Sequence, residues 1–234
     1  MKDMEGAVVS RGNGTGGGVE ERPWVPEVPV PADLSRREPL IRRFYTQPGQ
    51  DPFETVEYEL RTVRIMDPDG KVVFEMNDVE VPKTWSQLAT DIVASKYFRK
   101  AGVPGRGHEW SVRQVIRRVV HTIRLAGEEQ GGYFATAEEA QAFEDELTYM
   151  LLHQVGAFNS PVWFNCGLWH AYGIEGSGGN WYWDLRTNQV ETTRTAYERP
   201  QCSACFIQSV EDDLMSIFEL VKNEARVFKY GSGT

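Results

Sequence analysis

The residue types best suited to chemistry lie between Pro200 and Thr234, in PQCSACFIQSVEDDLMSIFELVKNEARVFKYGSGT. Cys202 and Cys205 stand at Cys-x-x-Cys spacing, Glu211-Asp212-Asp213 form an acidic turn, and Gly231-Ser232-Gly233-Thr234 lets backbone approach a ligand closely. Thiols at that spacing fit two chemistries. One is half of a zinc site, which needs a second pair of Cys or His ligands. Only Cys166, His108, His121, His153 and His170 remain to supply it, and none of them forms a second close pair. The other is thiol redox chemistry at a helix N-terminus. Here Cys205 runs on into Phe206-Ile207-Gln208-Ser209-Val210, a strand pattern, so both thiols cannot share a helix end. A cysteine on a strand leading to a ligand site fits a third design, in which one thiol faces substrate and pairs with a cysteine from elsewhere in the fold. Against all three stands Cys205 as a small buried apolar residue.

Other stretches carry weaker signals. Asn159 and Ser160 before Pro161 favour an extended or turn backbone with free amide and hydroxyl groups. That stretch, through Gly167, reads equally as a ligand-binding loop or as a helix-to-strand connection. Lys96 to Lys100 is basic and aromatic, yet cations beside the carbonyls of a helix end account for it. His121 lies beside an apolar stripe, where a histidine is ordinarily packed or at the surface. The acidic turn offsets a helix dipole, and an acidic side chain there can also accept from ribose hydroxyls.

These groups need elements to hold them. Residues 1 to about 38 read as a disordered leader, with RGNGTGGG glycine-rich and PWVPEVPVP extended. Gly12 to Gly18 lacks both the Gly-Lys-Ser/Thr ending and the preceding strand of a phosphate loop. Val56, Tyr58 and Leu60 alternate as on a half-buried strand, Asp67-Pro68-Asp69-Gly70 is a turn, and Val72-Val73-Phe74 returns. A first helix is expected after Pro82, capped by Thr84 with Gln87 at the capping-box position, burying Trp85, Leu88, Ala89 and Ile92. A second starts at Ser111 and buries Val112, Val115, Ile116, Val119, Val120 and Ile123. A third has Thr136 as cap and Glu139 in its box, buries Ala140, Phe143, Leu147, Met150 and Leu151, and stops at Gly156. Trp181 to Asp184 and Val190 to Thr193 form a hairpin whose aromatics pack or cover a cleft. The last helix follows the acidic turn, with Leu214, Ile217, Phe218, Val221, Ala225 and Phe228 on one face.

Composition sets the outer bounds. Of 234 residues, 41% are hydrophobic and 12% aromatic, enough for a core. The formal net charge of −9 disfavours a general nucleic-acid binder, which needs a basic face. No run approaches the roughly 18 apolar residues of a membrane span, and the start lacks a signal-peptide core. Three cysteines in a chain of this size do not make a secreted disulfide framework, so reduced thiols in the cytoplasm are expected.

Three segments, NSPVWFN from Asn159, SACFIQSVEDD from Ser203 and ARVFKYGSGT from Ala225, resemble in order and spacing the start of the catalytic barrel of class II ribonucleotide reductases, the adenosylcobalamin-dependent enzymes. VPKTWSQLATDIVASKYFRKAGVP, from Val81, resembles their N-terminal helical region, so the resemblance spans about residues 40 to 234. It implies a mixed α/β fold. A hairpin and helical domain over 39–155 leads into a ten-stranded α/β barrel that begins over 156–234 and is truncated here. It also implies a chemistry: a thiyl radical, generated with adenosylcobalamin, abstracts the ribose 3′-hydrogen, water leaves C2′, and two further cysteines become a disulfide.

By resemblance Cys205 is the N-terminal member of that reducing pair, with no counterpart assigned to Cys202 or Cys166. Ser160, Ser203, Ala204 and Gly233 contact substrate. Asp212 belongs to an effector site for a deoxynucleoside triphosphate at a dimer interface, which the helix from about Asp213 to Lys229 builds. The implied partners are a ribonucleotide, expected to be a diphosphate, the remainder of the reductase polypeptide, a thioredoxin-type reductant and a second copy of the chain. The radical cysteine, the second reducing cysteine and most cobalamin contacts are expected after Thr234, leaving the chain inactive alone. A non-catalytic nucleotide-binding or assembly module, and a zinc-binding structural protein, are the competing readings.

Overall fold

The Asp67 carboxylate accepts from the amides of Asp69 and Lys71 at 3.0 and 2.9 Å, locking the turn its sequence predicts. A computed structural model of the protein describes residues 38–130 and 133–234; the leader expected over 1–38 lies outside the described residues, save Glu38. From the turn, β1 (Tyr58–Met66) and β2 (Val72–Pro82) run antiparallel, with Tyr58 opposite Pro82. The inward set on β1 differs from the expected alternation: Val63 is buried and Ile65 half-buried, while Leu60 is exposed. On β2, the ladder slips at Asn77 and Asp78, and Asp78 has φ of 56°. One extra residue there moves the inward face from Phe74 and Met76 to Val79 and Val81.

Helix α1 (Gln87–Ile92) is capped by Ser86, whose hydroxyl accepts from the Ala89 amide at 3.1 Å, and not by Thr84. Arg61 draws the helix onto the hairpin by donating to Thr90 Oγ1 (2.9 Å) and Trp85 O (2.7 Å). Thr90, Val93 and Ala94 are therefore buried, whereas Leu88 and Ile92, expected inside, face out. A π turn over Val93–Tyr97 follows and buries Phe98.

Helix α2 (Val112–Gln130) carries the core stripe as expected, with Val112, Val115, Ile116, Val119 and Val120 fully buried. Each such side chain contributes about 1.5–3 kcal/mol over leaving it exposed. Ser111 caps it, accepting from the Arg113 amide at 3.1 Å. His121 is at the surface beside Glu144. Helix α3 (Ala137–Leu152) has Thr136 as its cap, and the buried Glu139 carboxylate accepts from the amides of Leu40, Ile41 and Ala135. It ends before Gly156, because Gln154 takes the left-handed position (φ 57°) and the Val155 amide returns to Met150 O at 2.8 Å.

The stretch after Phe158 is neither loop nor strand connection. Asn159 caps α4 (Ser160–Asn165), accepting from the Val162 amide, with Pro161 in the first turn where a missing N–H costs nothing. Helix α5 (Leu168–Tyr172) follows, and then the expected hairpin of β3 (Trp181–Asp184) and β4 (Gln189–Thr192). The strand expected over Phe206 to Val210 is not formed; that run has no regular structure and is exposed except for half-buried Gln208, and one parallel bridge, Cys205 to Gly233, precedes it. Helix α6 (Leu214–Lys229) closes the described chain. The composition is mixed α/β, and the sheets among the described residues are two two-stranded hairpins.

Candidate functional site

Cys205 is held by backbone alone. The Gly233 amide donates to Ala204 O at 2.7 Å and the Phe206 amide to Gly233 O at 2.9 Å, leaving the Cys205 side chain exposed between them. A Cβ on Gly233 would meet only Ala204 O, at 3.7 Å, so packing within the chain does not require glycine there. Gly231 differs: its φ is +80° and a Cβ would come 3.0 Å from the Phe164 ring. Of the two glycines, Gly231 serves the turn, and Gly233 leaves space beside the thiol.

The neighbouring backbone is fixed by groups that residue types alone did not single out. Gln201 brackets Ser203, its amide oxygen accepting from the Ser203 amide and its Nε2 donating to Ser203 O at 2.8 Å. The buried Ser232 hydroxyl donates to the same carbonyl at 2.6 Å and is itself met by the Gln201 amide. Asn165, the last residue of α4, donates to Gln201 O (2.8 Å) and Tyr230 O (3.2 Å), tying α4 to both the cysteine segment and the glycine turn. At the other end of α4, Ser160 Oγ lies 3.2 Å from the Tyr97 hydroxyl. Ser203, Ala204, Cys205 and Gly233 thus belong to one hydrogen-bonded frame, and Ser160 stands at the far end of the helix that Asn165 ties to it.

Beneath α4 sits a buried ion pair. Arg118 Nε donates to Glu109 Oε1 at 2.7 Å, and its other nitrogens reach Cys166 O (2.6 Å) and Trp163 O (2.8 Å), carbonyls that the end of α4 leaves free. Glu109 also accepts from Tyr172 Oη at 2.8 Å and the Arg99 amide at 2.7 Å. Both partners are within 2% of complete burial, and their bonds are complete enough to repay desolvation. The available signal was Arg118 itself, a charge three residues after Val115 on the apolar stripe.

The Cys-x-x-Cys spacing misleads. Cys202 packs against the core that holds the buried Cys166, and the two line one cavity that Cys205 does not. The neighbouring Cys202 thiol, with burial, pushes the Cys166 thiol up, and Cys166 in turn holds Cys202 below the ordinary thiol range. Among the described residues no three His, Cys, Asp or Glu side chains are grouped to hold a metal ion. Asp212 is exposed at the turn before α6, where Asp213 makes the cap, accepting from the amides of Met215 and Ser216. Among the described residues no hydrogen bond or ion pair joins Asp212 to the frame. The hairpin aromatics divide: Tyr182 lies under the Arg199 guanidinium, 5.1 Å from ring centre to Cζ, and Trp181 and Trp183 are exposed.

A family model described as class II vitamin B12-dependent ribonucleotide reductase matches residues 59–154, from the first hairpin through α3. A vitamin B12-dependent ribonucleotide reductase of Rhodopirellula baltica is 48% identical over 192 residues, covering 82% of this chain and 18% of the relative. One from Agrobacterium fabrum is 44% identical over 230 residues, covering 83% and 18%, and one from Streptomyces coelicolor is 43% identical over 195, covering 82% and 17%. The chain therefore spans about a fifth of the length of these relatives. No described helix is long and apolar enough to cross a membrane.

Proposed function

The chain belongs to the class II vitamin B12-dependent ribonucleotide reductases, matching the N-terminal portion of its relatives, and on that premise we propose that it supplies one wall of a ribonucleotide-reducing site. In this reading Cys205 is one of two thiols that together give up two electrons and two protons. The ribose 2′-hydroxyl leaves as water, a hydrogen takes its place, and the thiols become a disulfide that a thioredoxin-type protein reduces again. The substrate is a ribonucleoside diphosphate, and the setting is cytoplasmic.

The observation that carries the reading is the exposed Cys205 thiol on a backbone frame whose glycine, Gly233, is not demanded by internal packing. Ser203 and Ala204 flank the thiol, and Ser160 presents its hydroxyl from α4. The second reducing thiol comes from outside these residues. Cys166 and Cys202 line one cavity that Cys205 does not, which supports assigning neither to Cys205 and supports inactivity of the 234-residue chain alone. The bridge between Cys205 and Gly233 is read as the first parallel pairing of the catalytic barrel. Asp212 is assigned to the site of a deoxynucleoside triphosphate effector, at a homodimer interface built by α6.

Cobalamin, which the relatives' names require, does not fit the residues described. A hollow of 630 Å³ mixes charged Glu129, Asp184, Arg186 and Arg199 with Tyr182, Trp183 and Leu185, and so lacks the continuous apolar face that a corrin ring covers. Adenosylcobalamin is therefore assigned to reductase sequence beyond these residues, and no step assigned to this chain runs through it.

The test supplies the remaining reductase sequence in trans, with adenosylcobalamin, a dithiol and a ribonucleoside diphosphate. Deoxynucleotide should form with the wild-type chain and fall to background with Cys205→Ser. Undiminished product from Cys205→Ser would overturn the assignment.

A further inference from the structure

We infer that Cys166 and Cys202 form an oxidation-sensitive thiol pair, closing to a disulfide that covalently ties the end of α4 to the segment bearing Cys205. The inference rests on the two thiols and does not need the nucleotide reading.

Three observations carry it. Cys202 packs against the apolar core that contains Cys166, and both are free thiols. They share one cavity of 340 Å³, whose other lining includes Thr122, His170, Tyr182 and Glu129, so a small oxidant can reach both sulfurs. Their surroundings also differ in the way a nucleophile and its resolving thiol must. Cys166 is buried, donating to Val119 O at 3.9 Å, and Cys202 is only half-buried. The thiolate is the attacking form, and the neighbouring Cys166 thiol favours it on Cys202. Cys205 is exposed and does not line that cavity.

With hydrogen peroxide as oxidant, the Cys202 thiolate attacks one peroxide oxygen and the O–O bond breaks. This leaves a sulfenic acid on Cys202 and a hydroxide that takes up the proton Cys202 had lost. The Cys166 sulfur then attacks the sulfenic sulfur, the S–O bond breaks, and the departing hydroxide leaves as water with the Cys166 proton. The two thiols lose two electrons and two protons, and one peroxide becomes two waters. A dithiol reverses the change by exchange. The disulfide would join segments that Asn165 otherwise links through hydrogen bonds alone.

Peptide mapping of the 234-residue chain tests this. Trypsin leaves Cys166 in peptide 125–186 and both Cys202 and Cys205 in peptide 195–222, so the proposed link joins two peptides while a Cys202–Cys205 link stays within one. After brief peroxide treatment, denaturation and alkylation, the two peptides should be joined with loss of two hydrogens, fragmentation should place the link on Cys202, and dithiothreitol should release it. Cys205→Ser should keep the cross-link, and Cys202→Ser should leave Cys166 fully alkylated. A link within peptide 195–222, a link to Cys205, or sulfinic acid on Cys202 with Cys166 alkylated would overturn the inference. Should Cys202→Ser misfold, the wild-type map with Cys205→Ser decides.

Discussion

Glu146 illustrates how much one buried carboxylate settles. It accepts from the amides of Tyr45 and Thr46 and from the Thr46 hydroxyl (2.6 Å), and next to it Asp145 pairs with Arg43 at 2.7 Å. The chain near its first described residues is thereby pinned to α3 by charge-assisted bonds, beside the stacking of Tyr45 on Tyr149 at 5.0 Å. Burial works to raise the Glu146 pKa, but the bonds from Thr46 and the neighbouring amides outweigh it and leave the group below its ordinary 4.5. A depressed folded pKa gives stability that is fully present above the unfolded value and is lost as pH falls through the folded one. Urea unfolding of the wild-type chain should therefore show stability dropping below about pH 4.5. Glu146→Gln should cost about 1.5–3 kcal/mol at neutral pH, the range for hydrogen bonds to a charged group. It should also flatten that acid slope. An unchanged slope would show that other carboxylates govern it.

At the scale of elements, the junction of α4 and α5 is the tightest place in the candidate site. Gly167 has φ of +83°, and a Cβ there would come 2.3 Å from Arg118 O, so α5 leaves α4 pressed against the backbone of α2. Gly167→Ala should cost about 1–3 kcal/mol from the left-handed backbone alone, and more from the clash. Because Arg118 and Asn165 both act through α4, the loss should appear as a lowered Tm together with faster alkylation of Cys166. A Tm equal to wild type would mean that α2 and α4 separate more easily than their contact implies. Helices α2 and α3 are legible in the sequence because long periodic stripes and explicit caps leave one solution. The apolar pattern of α1 points to the wrong face, since its orientation is dictated by Arg61 from the hairpin, a long-range contact no local pattern contains. The candidate site is legible as motifs but not as a frame. Gln201, Ser232 and Asn165 work by bonding backbone far away in the chain, and the Cys-x-x-Cys spacing points to the wrong partner for Cys202.

For the described residues as a whole, apolar surface is distributed unevenly, and α6 is where it matters. Asp213 caps its start, and Arg226 and Lys229 lie in its last turn, where they favour the dipole, yet none of its residues is buried. Leu214 is 67% exposed, Phe218 61% and Phe228 57%, all on one face. Helices gain most of their stability from packing such a face, so one left open calls for cover. In the proposed reading a second copy of the chain covers it, α6 against α6, with the Asp212 turn brought to the seam. Sedimentation velocity over a concentration series should then show a monomer–dimer equilibrium for the wild-type chain. Phe218→Glu should leave it monomeric, because an unpaired charge would have to enter the contact. Phe218 is mostly exposed in the monomer, so the stability of dilute protein should stay within about 0.5 kcal/mol of wild type. Dimerisation of Phe218→Glu at wild-type strength would remove α6 from the interface and assign its apolar face to other reductase sequence instead.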